Sequence, residues 1–227
     1  FTDLYCKTLA ANVRGNLTYK AKTKEEADID YKVNLEDIQL KNLVTLFPSL
    51  NTLFSMAKSF EGNVNFRMKG SAKLNKDMEV VVPSVESIAA LQAKNLIIHD
   101  SPTFAEISKT LMFKNKERNY VDSFQAEMKI ENSHLEIFPA ELTIDRYRIA
   151  AGGIQNLDMS YKYHISILKS PVPFKAGVDI SGNFDDYKID ITKANYKYYF
   201  SDKKRLQNKA DSTIINTKAQ IIKELDF

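Results

Sequence analysis

The amino-acid sequence predicts an α+β fold, namely a long, curved, mostly antiparallel sheet with two or three short helices packed on one face or one end. Apolar and polar residues alternate over much of the chain, most regularly from Leu157 to Ile167. This period of two is typical of a half-buried strand. The strand-like runs follow one another at about 8–12 residues with short connections, which favours an antiparallel meander. Two segments that begin with proline instead place apolar residues at helical spacing.

The first strands are predicted on either side of a short polar run. Apolar residues alternate from Leu17 to Ala21 and again from Ile29 to Leu35, and the polar residues 22–26 between them indicate a hairpin loop. A second turn is predicted at residues 131–133. Further alternating runs lie at Val64–Met68, Met78–Val82, Leu91–Ile98, Phe124–Ile130, Leu135–Ile137, Leu142–Ile144, Tyr147–Ile149, Phe174–Ile180 and Tyr187–Ile191.

Two short helices are predicted, over Pro48–Phe60 and Pro102–Phe113. Proline stands at the first helical position of each, where its missing N–H costs no hydrogen bond. Phe54 and Phe104 lie on the apolar sides, so we expect both side chains to pack on the sheet. The tripeptide Lys-Asn-Leu precedes each helix, which indicates either a strand–helix–strands unit used twice or a chance match.

The C-terminal segment has a different pattern. A mostly polar helix is predicted from Asp202 to Leu225, with Ser201 as its N-cap and an apolar side only in its second half. Three interpretations stay open, namely a detached helix, a partner-binding helix and a frayed tail. The sequence therefore predicts a strand-rich domain over residues 1–200 and a polar helix or tail over residues 201–227.

The composition excludes several classes of function. Of the 227 residues, 44% are hydrophobic and 27% are charged, and the net charge of +3 is too small to indicate a nucleic-acid partner. Cys6 is the one cysteine, which excludes an internal disulfide and a zinc site built on several thiolates. No stretch approaches the ~20 apolar residues of a membrane-spanning helix. The chain begins at Phe1 within a strand-rich region, so we expect a fragment of a longer protein whose anchor or export signal lies upstream.

No residue pattern indicates catalysis. The run from His99 to Ser101 contains the residue types of a hydrolytic triad, but neighbours on a strand point to opposite faces, and a strand end followed by a helix cap explains the run better. His164 lies on the polar side of its strand, and we expect it to be solvated. Neither His134 nor the other histidines have a partner at metal-ligand spacing. We therefore predict no enzyme activity, no catalytic residue, no metal site and no cofactor.

The chain resembles the C-terminal region of AsmA-family proteins over roughly residues 30–200. The resemblance consists of apolar and glycine patterns in a fixed order. The segments that carry it are Gln92–His99, Pro102–Phe113, Phe124–Ile130, Leu135–Ile137, Ile149–Ile154, Leu157–Ile167 and Pro173–Phe184.

This resemblance implies an envelope protein of a bacterium with two membranes, located in the periplasm and tethered to the membrane by a segment absent from this chain. Members of the family act in outer-membrane biogenesis, and the wider superfamily includes lipid transporters whose curved sheets form an apolar groove. The implied partners are phospholipid or another envelope lipid and outer-membrane assembly proteins. The family has no catalytic residues to carry over.

Two hypotheses for function follow. In the first, the chain is a non-enzymatic periplasmic module that supports outer-membrane biogenesis by holding or passing lipid along an apolar sheet face. In the second, it is a structural or protein-interaction domain whose apolar sheet face is covered by its own helices. The residues predicted to contact lipid are Leu135, Ile137, Met159, Tyr161, Tyr163, Ile165, Phe174, Ala176 and Val178.

Overall fold

A computed structural model of the chain shows eleven strands in one antiparallel sheet, in which each strand pairs with the next strand of the sequence. One helix, α1 (Lys209–Leu225), follows the last strand. The strands are β1 (Leu4–Lys7), β2 (Asn12–Ala21), β3 (Ala27–Gln39), β4 (Phe60–Leu74), β5 (Glu86–His99), β6 (Arg118–Glu131), β7 (His134–Ile144), β8 (Tyr147–Asn156), β9 (Tyr161–Lys169), β10 (Gly177–Gly182) and β11 (Tyr187–Thr192).

The structure describes most of the chain in segments. These are residues 1–21, 23, 26–40, 42, 60–99, 105–106, 108–109, 118–144, 146–156, 160–170, 176–183, 186–197, 199–200 and 209–226.

Short hairpins produce the meander. The loop predicted at residues 22–26 joins β2 to β3, as expected, and the turn predicted at residues 131–133 joins β6 to β7. Asn132 and Ser133 have φ angles of 51° and 63°, and they form a two-residue connection between the paired residues Glu131 and His134. Two positive φ angles are the requirement of the tight turn whose twist matches that of antiparallel strands.

Two β-bulges interrupt the register near one end of the long strands. The pairing of β3 with β4 shifts next to Asp37, and the pairing of β4 with β5 shifts next to Gly62 and Asn95. All three residues have positive φ angles, of 54°, 148° and 52° respectively. A bulge bends its strand and increases the local twist. This end of the sheet is therefore curved rather than flat.

Helix α1 packs on one face of the sheet. Ile221 and Leu225 are 2% and 0% exposed, and together with Ala90 and Phe138 they form an apolar cluster. Phe138 reaches this face at a further bulge, where the pairing of β7 with β8 shifts by one residue. The C-terminal segment is thus a helix packed on the sheet rather than a detached helix, and its described part begins at Lys209.

The prediction of an α+β fold with two or three helices is wrong. Over the described residues, the structure is mostly a single eleven-stranded antiparallel sheet with one short C-terminal helix. Strands β4, β5 and β6 have 14 or 15 residues each, so each strand is much longer than the alternating run that predicted it. Phe60, expected to end a helix, begins β4. Residues 48–59 and most of 102–113, with Phe54 and Phe104, lie outside the described residues.

Other assignments also need correction, among them the run Met78–Val82, which forms only an isolated bridge between Val80 and Leu74. Of the strand predicted over Leu157–Ile167, residues 161–167 lie in β9, residues 157–159 lie outside the described residues, and Ser160 precedes the strand, where its carbonyl accepts the Asn156 N–H at 2.8 Å. The second Lys-Asn-Leu tripeptide does not end a strand but lies inside β5, where Asn95 forms a bulge.

Candidate functional site on the apolar face of the sheet

A continuous row of apolar residues crosses nine adjacent strands, from β3 to β11. Residues directly opposite in an antiparallel pair project to the same face, so the register fixes the row. Eight spacings of about 4.8 Å give it a length of roughly 38 Å along the sheet. This apolar row consists of Val33, Met68, Ala89, Met128, Ile137, Gly153, Tyr163, Ile180 and Ile189. We call the face that carries it the apolar face.

A second row runs beside the apolar row on the same face. It has two stretches because the bulge in β7 shifts the register between them. The first stretch consists of Leu35, Phe66, Leu91 and Ala126. The second consists of Ala151, Ile165, Val178 and Ile191. The apolar face is therefore at least two residues wide on every strand from β3 to β6 and from β8 to β11.

Several large side chains of the apolar row remain half-buried. Val33, Met68, Met128, Ile137 and Tyr163 are all partly accessible to solvent. Side chains in the middle of a fully covered sheet would be close-packed on all sides. These five side chains are therefore not completely covered, whereas Ala89 and Ile180 of the same row are buried.

Two tyrosines of β9 stack on the apolar face while their hydroxyl groups are bonded. The rings of Tyr161 and Tyr163 stack with centroids 5.2 Å apart. Their hydroxyls donate to the Asn183 carbonyl at 3.0 Å and to the Gln155 side chain at 2.8 Å. Burial raises the pKa of Tyr163 to about 12. Both groups are thus neutral at physiological pH, and their polar ends are directed into protein contacts.

Gly153 makes room for the Tyr163 ring. Its φ of +155° is unfavourable for other residues, and an added Cβ would lie 2.2 Å from the Lys162 carbonyl oxygen and 2.7 Å from the ring. The glycine pair at this point of the sequence thus marks a close approach of neighbouring strands.

The predicted lipid-contact residues divide into three groups. Leu135, Ile137 and Tyr163 are half-buried on the apolar face. Met159 and Phe174 lie outside the described residues. The remaining four are buried, namely Tyr161, Ile165, Ala176 and Val178. Sequence reasoning missed the members of the apolar row on β3 to β6, although their alternation was visible, because the cross-strand register that aligns them is not readable from one strand.

The connection between β5 and β6 reaches the last strand of the sheet. The Tyr187 hydroxyl donates to the Glu106 carboxylate at 3.1 Å, and Tyr187 lies on the apolar face two residues before Ile189. Ser108 in the same connection is fully buried. Part of the apolar face is therefore contacted by the chain's own residues.

An ion pair anchors helix α1 to the opposite face. The Lys218 ammonium lies 3.1 Å from the Glu127 carboxylate, and these side chains are 22% and 5% exposed. Lys218 also donates to the Pro139 carbonyl at 2.5 Å, and the Gln125 amide donates to the second Glu127 oxygen at 2.9 Å. At the end of the helix, the Arg67 guanidinium donates to the Leu225 and Asp226 carbonyls. These polar contacts fix the helix on the face away from the apolar row.

His164 is buried, so the expectation that it is solvated is wrong. It is 7% exposed, because the chain after β11 returns over it. Its Nδ1 lies 2.5 Å from an Asp179 oxygen, and its Nε2 lies 2.9 Å from Ser166 Oγ. The His164 and Tyr196 rings are nearly perpendicular, with their centroids 4.9 Å apart. Asp179 of β10 lies directly opposite His164 of β9 in the antiparallel pair, and this cross-strand pairing cannot be read from the sequence.

The order Asp179–His164–Ser166 has the connectivity of a hydrolytic triad, but the surrounding bonds indicate a structural role. Ser166 is fully buried, and its oxygen accepts the Tyr196 N–H at 2.8 Å. His164 Nε2 also accepts the Asn195 N–H at 3.1 Å. A nucleophile must reach a substrate carbonyl beside an oxyanion site. This His164 network instead holds residues 195 and 196 against the sheet.

The other histidines have acidic or amide partners. His99 Nε2 lies 2.6 Å from a Glu61 oxygen, whereas Asp100 and Ser101 lie outside the described residues. His134 Nδ1 lies 2.6 Å from Asn156 Oδ1. Within the described segments, no cluster of three or more His, Cys, Asp or Glu side chains has a geometry suited to a metal ion. None of the described helical residues forms a helix long and apolar enough to cross a membrane.

Comparisons of the chain with protein-family models, with curated proteins and with solved structures find no match.

Proposed function

We propose that this protein is a non-enzymatic module that holds or passes lipid along the apolar face of its sheet. The observation that carries the proposal is the apolar row of about 38 Å, in which five large side chains are only half-buried. One leaflet of a bilayer has a hydrocarbon depth of roughly 15 Å, half of the ~30 Å core. The row is therefore long enough for an extended acyl chain, and burial of that chain would remove apolar surface of both partners from water.

The resemblance to the AsmA family supports a setting for this activity. We propose that the module works in the periplasm, tethered to the membrane, and supports outer-membrane biogenesis. Phospholipid or another envelope lipid is the proposed ligand, and outer-membrane assembly proteins are the proposed partners.

The proposal is tested by placing a charge in the apolar row. Tyr163→Asp puts a carboxylate on the apolar face, where an unpaired charge is strongly disfavoured, so lipid retention should be lost. Lys162→Asp is the matched control, because Lys162 is the neighbouring residue of the same strand and points to the opposite face, where it is exposed. Met128→Asp repeats the test on β6, at a site that does not touch the Gly153 contact.

The measurements are circular dichroism for folding and native mass spectrometry for lipid that co-purifies or is loaded from phospholipid vesicles. Folded row variants without lipid, beside a control that retains lipid, agree with the proposal. A folded Met128→Asp variant that retains lipid as well as the wild type rules out the row as a lipid path. A wild-type protein that carries no lipid in either preparation refutes the function.

A second candidate function is a structural or protein-interaction domain whose apolar face is covered by its own chain. The contact of Glu106 with Tyr187 favours it, because the β5–β6 connection reaches β11 on that face. This alternative predicts that Tyr163→Asp and Met128→Asp both unfold the domain and that the wild-type protein binds no lipid.

A further inference from the structure

The outer edge of β11 has a pattern of side chains that is complementary to itself. β11 is the last strand of the sheet among the described residues. On the polar face of the sheet, Lys188 and Asp190 lie 2.8 Å apart, and their side chains are 74% and 46% exposed. On the apolar face, Ile189 is half-buried and Ile191 is 64% exposed. Exposed apolar residues at a free sheet edge are unusual, since such an edge can pair with another strand.

We propose that two copies of this chain pair antiparallel through β11, so that their two sheets join into one. Backbone N–H and C=O groups of a strand point alternately to its two sides, and pairing with β10 uses one of these sides. No strand of the described residues pairs with the groups on the other side, and in the proposed dimer these groups bond to a strand of the second copy.

The side chains select one register for this pairing. When Ile189 faces Ile189 of the second copy, Lys188 faces Asp190 of the second copy, and the reciprocal pair forms by symmetry. Tyr187 then faces Ile191 of the second copy on the apolar face. A lysine on an edge strand normally opposes pairing. Here the aspartate two residues away supplies each incoming lysine with an opposite charge, which stabilises a cross-strand pair.

This pairing would extend the apolar row from one copy into the other, because Ile189 is its last member. The inference does not rest on lipid binding, since it follows from the edge alone. Failure of lipid binding would leave the dimer intact, and failure of dimer formation would leave the row of the single chain unchanged.

A charge-exchange experiment tests the register. Sedimentation velocity should show the wild type as a dimer. Lys188→Asp places two carboxylates opposite each other at each contact, Asp190→Lys places two ammonium groups there, and each variant should be monomeric. The double variant Lys188→Asp/Asp190→Lys should dimerise again. An equimolar mixture of the two single variants should form a heterodimer, because every contact then joins opposite charges.

Disulfide trapping provides an independent measurement. With Cys6→Ser as background, Ile189→Cys places two thiols at the symmetry axis, where Cα atoms of opposite residues lie about 4.5–5.5 Å apart, within disulfide range. Ile191→Cys is the control, because its copies lie four residues out of register, about 13 Å apart. Oxidation should link the first variant and leave the second unlinked.

Three results would overturn the proposal. They are a monomeric wild type at concentrations up to the solubility limit, a dimer that persists in both single charge variants, and equal cross-linking at the two cysteine positions. Circular dichroism of every variant checks that the fold is retained, which is expected because all four positions lie at the edge.

Discussion

Loss of the Lys218 charge should destabilise the fold by about 3 kcal/mol. Lys218→Met keeps the length of the side chain and a good helix former, but it leaves the Glu127 carboxylate buried without its cation. Removal of one partner of a buried ion pair costs about 3–5 kcal/mol. The Lys218 side chain is 22% exposed, so water reaches this pair, and we expect the lower end of that range. The bond to the Pro139 carbonyl is lost as well.

The assay is urea unfolding followed by circular dichroism, in which a lower midpoint with an unchanged slope reports a loss of stability. Lys223→Met is the control, since Lys223 is exposed on the same helix and should change the free energy of unfolding by less than about 0.5 kcal/mol. Adding Glu127→Gln to Lys218→Met should restore more than half of the loss, because the neutral amide needs no cation. Equal midpoints for Lys218→Met and the control would show that the ion pair does not hold the helix.

Three further outcomes are expected. Gly153→Ala should cost more than about 2 kcal/mol, from backbone strain and the clash with the Tyr163 ring, whereas the exposed neighbour variant Ile154→Ala should cost less than about 0.5 kcal/mol in the same urea titration. Burial raises the pKa of Tyr163 to about 12, against about 10 in the unfolded chain, so its contribution to the free energy of unfolding is complete below pH 10 and is lost as the pH rises toward 12. In a titration followed by tyrosinate absorbance, Tyr163→Phe should lack one tyrosine that ionises late, and an unchanged titration curve would contradict this. Ser166→Ala should destabilise the fold by about 1–3 kcal/mol, since the Tyr196 N–H loses its acceptor. The wild type should not be labelled by fluorophosphonate probes, and labelling of Ser166 would show that the His164 network has a chemical role.

The strands could be predicted from the sequence because alternation is a local property. The run Phe124–Ile130 lies inside β6, and the loop at residues 22–26 is a hairpin as expected. The same local rule failed at Ser160, which precedes β9, since nothing in the alternating pattern marks where the pairing stops. The turn shows itself instead through Asn156 and Ser160, whose backbone and side chains bond to each other.

The candidate site could be predicted only in part. Leu135, Ile137 and Tyr163 were identified from the alternation of their own strands, and they lie on the apolar face. The partners Val33 and Met68 belong to the same row through registers set by hairpins far away in the sequence. Prediction of the row from residues alone would need every turn length between β3 and β11, and one error of a single residue would move all later side chains to the opposite face.

The bulges explain why the register cannot simply be counted along the chain. Ordinary alternation places Ile137 on the apolar face and Phe138 toward helix α1. Without a bulge it would also turn Ala140 toward the helix. The sheet gains one residue on β7 at Phe138 and Pro139, and this shift brings Ala140 opposite Ala151 on the apolar face. Proline cannot donate to the ladder and is tolerated in a sheet mainly at edges and bulges. Pro139 is therefore the one local signal in the sequence for this shift, and the single extra residue that it marks returns Ala140 to the apolar face of the strand.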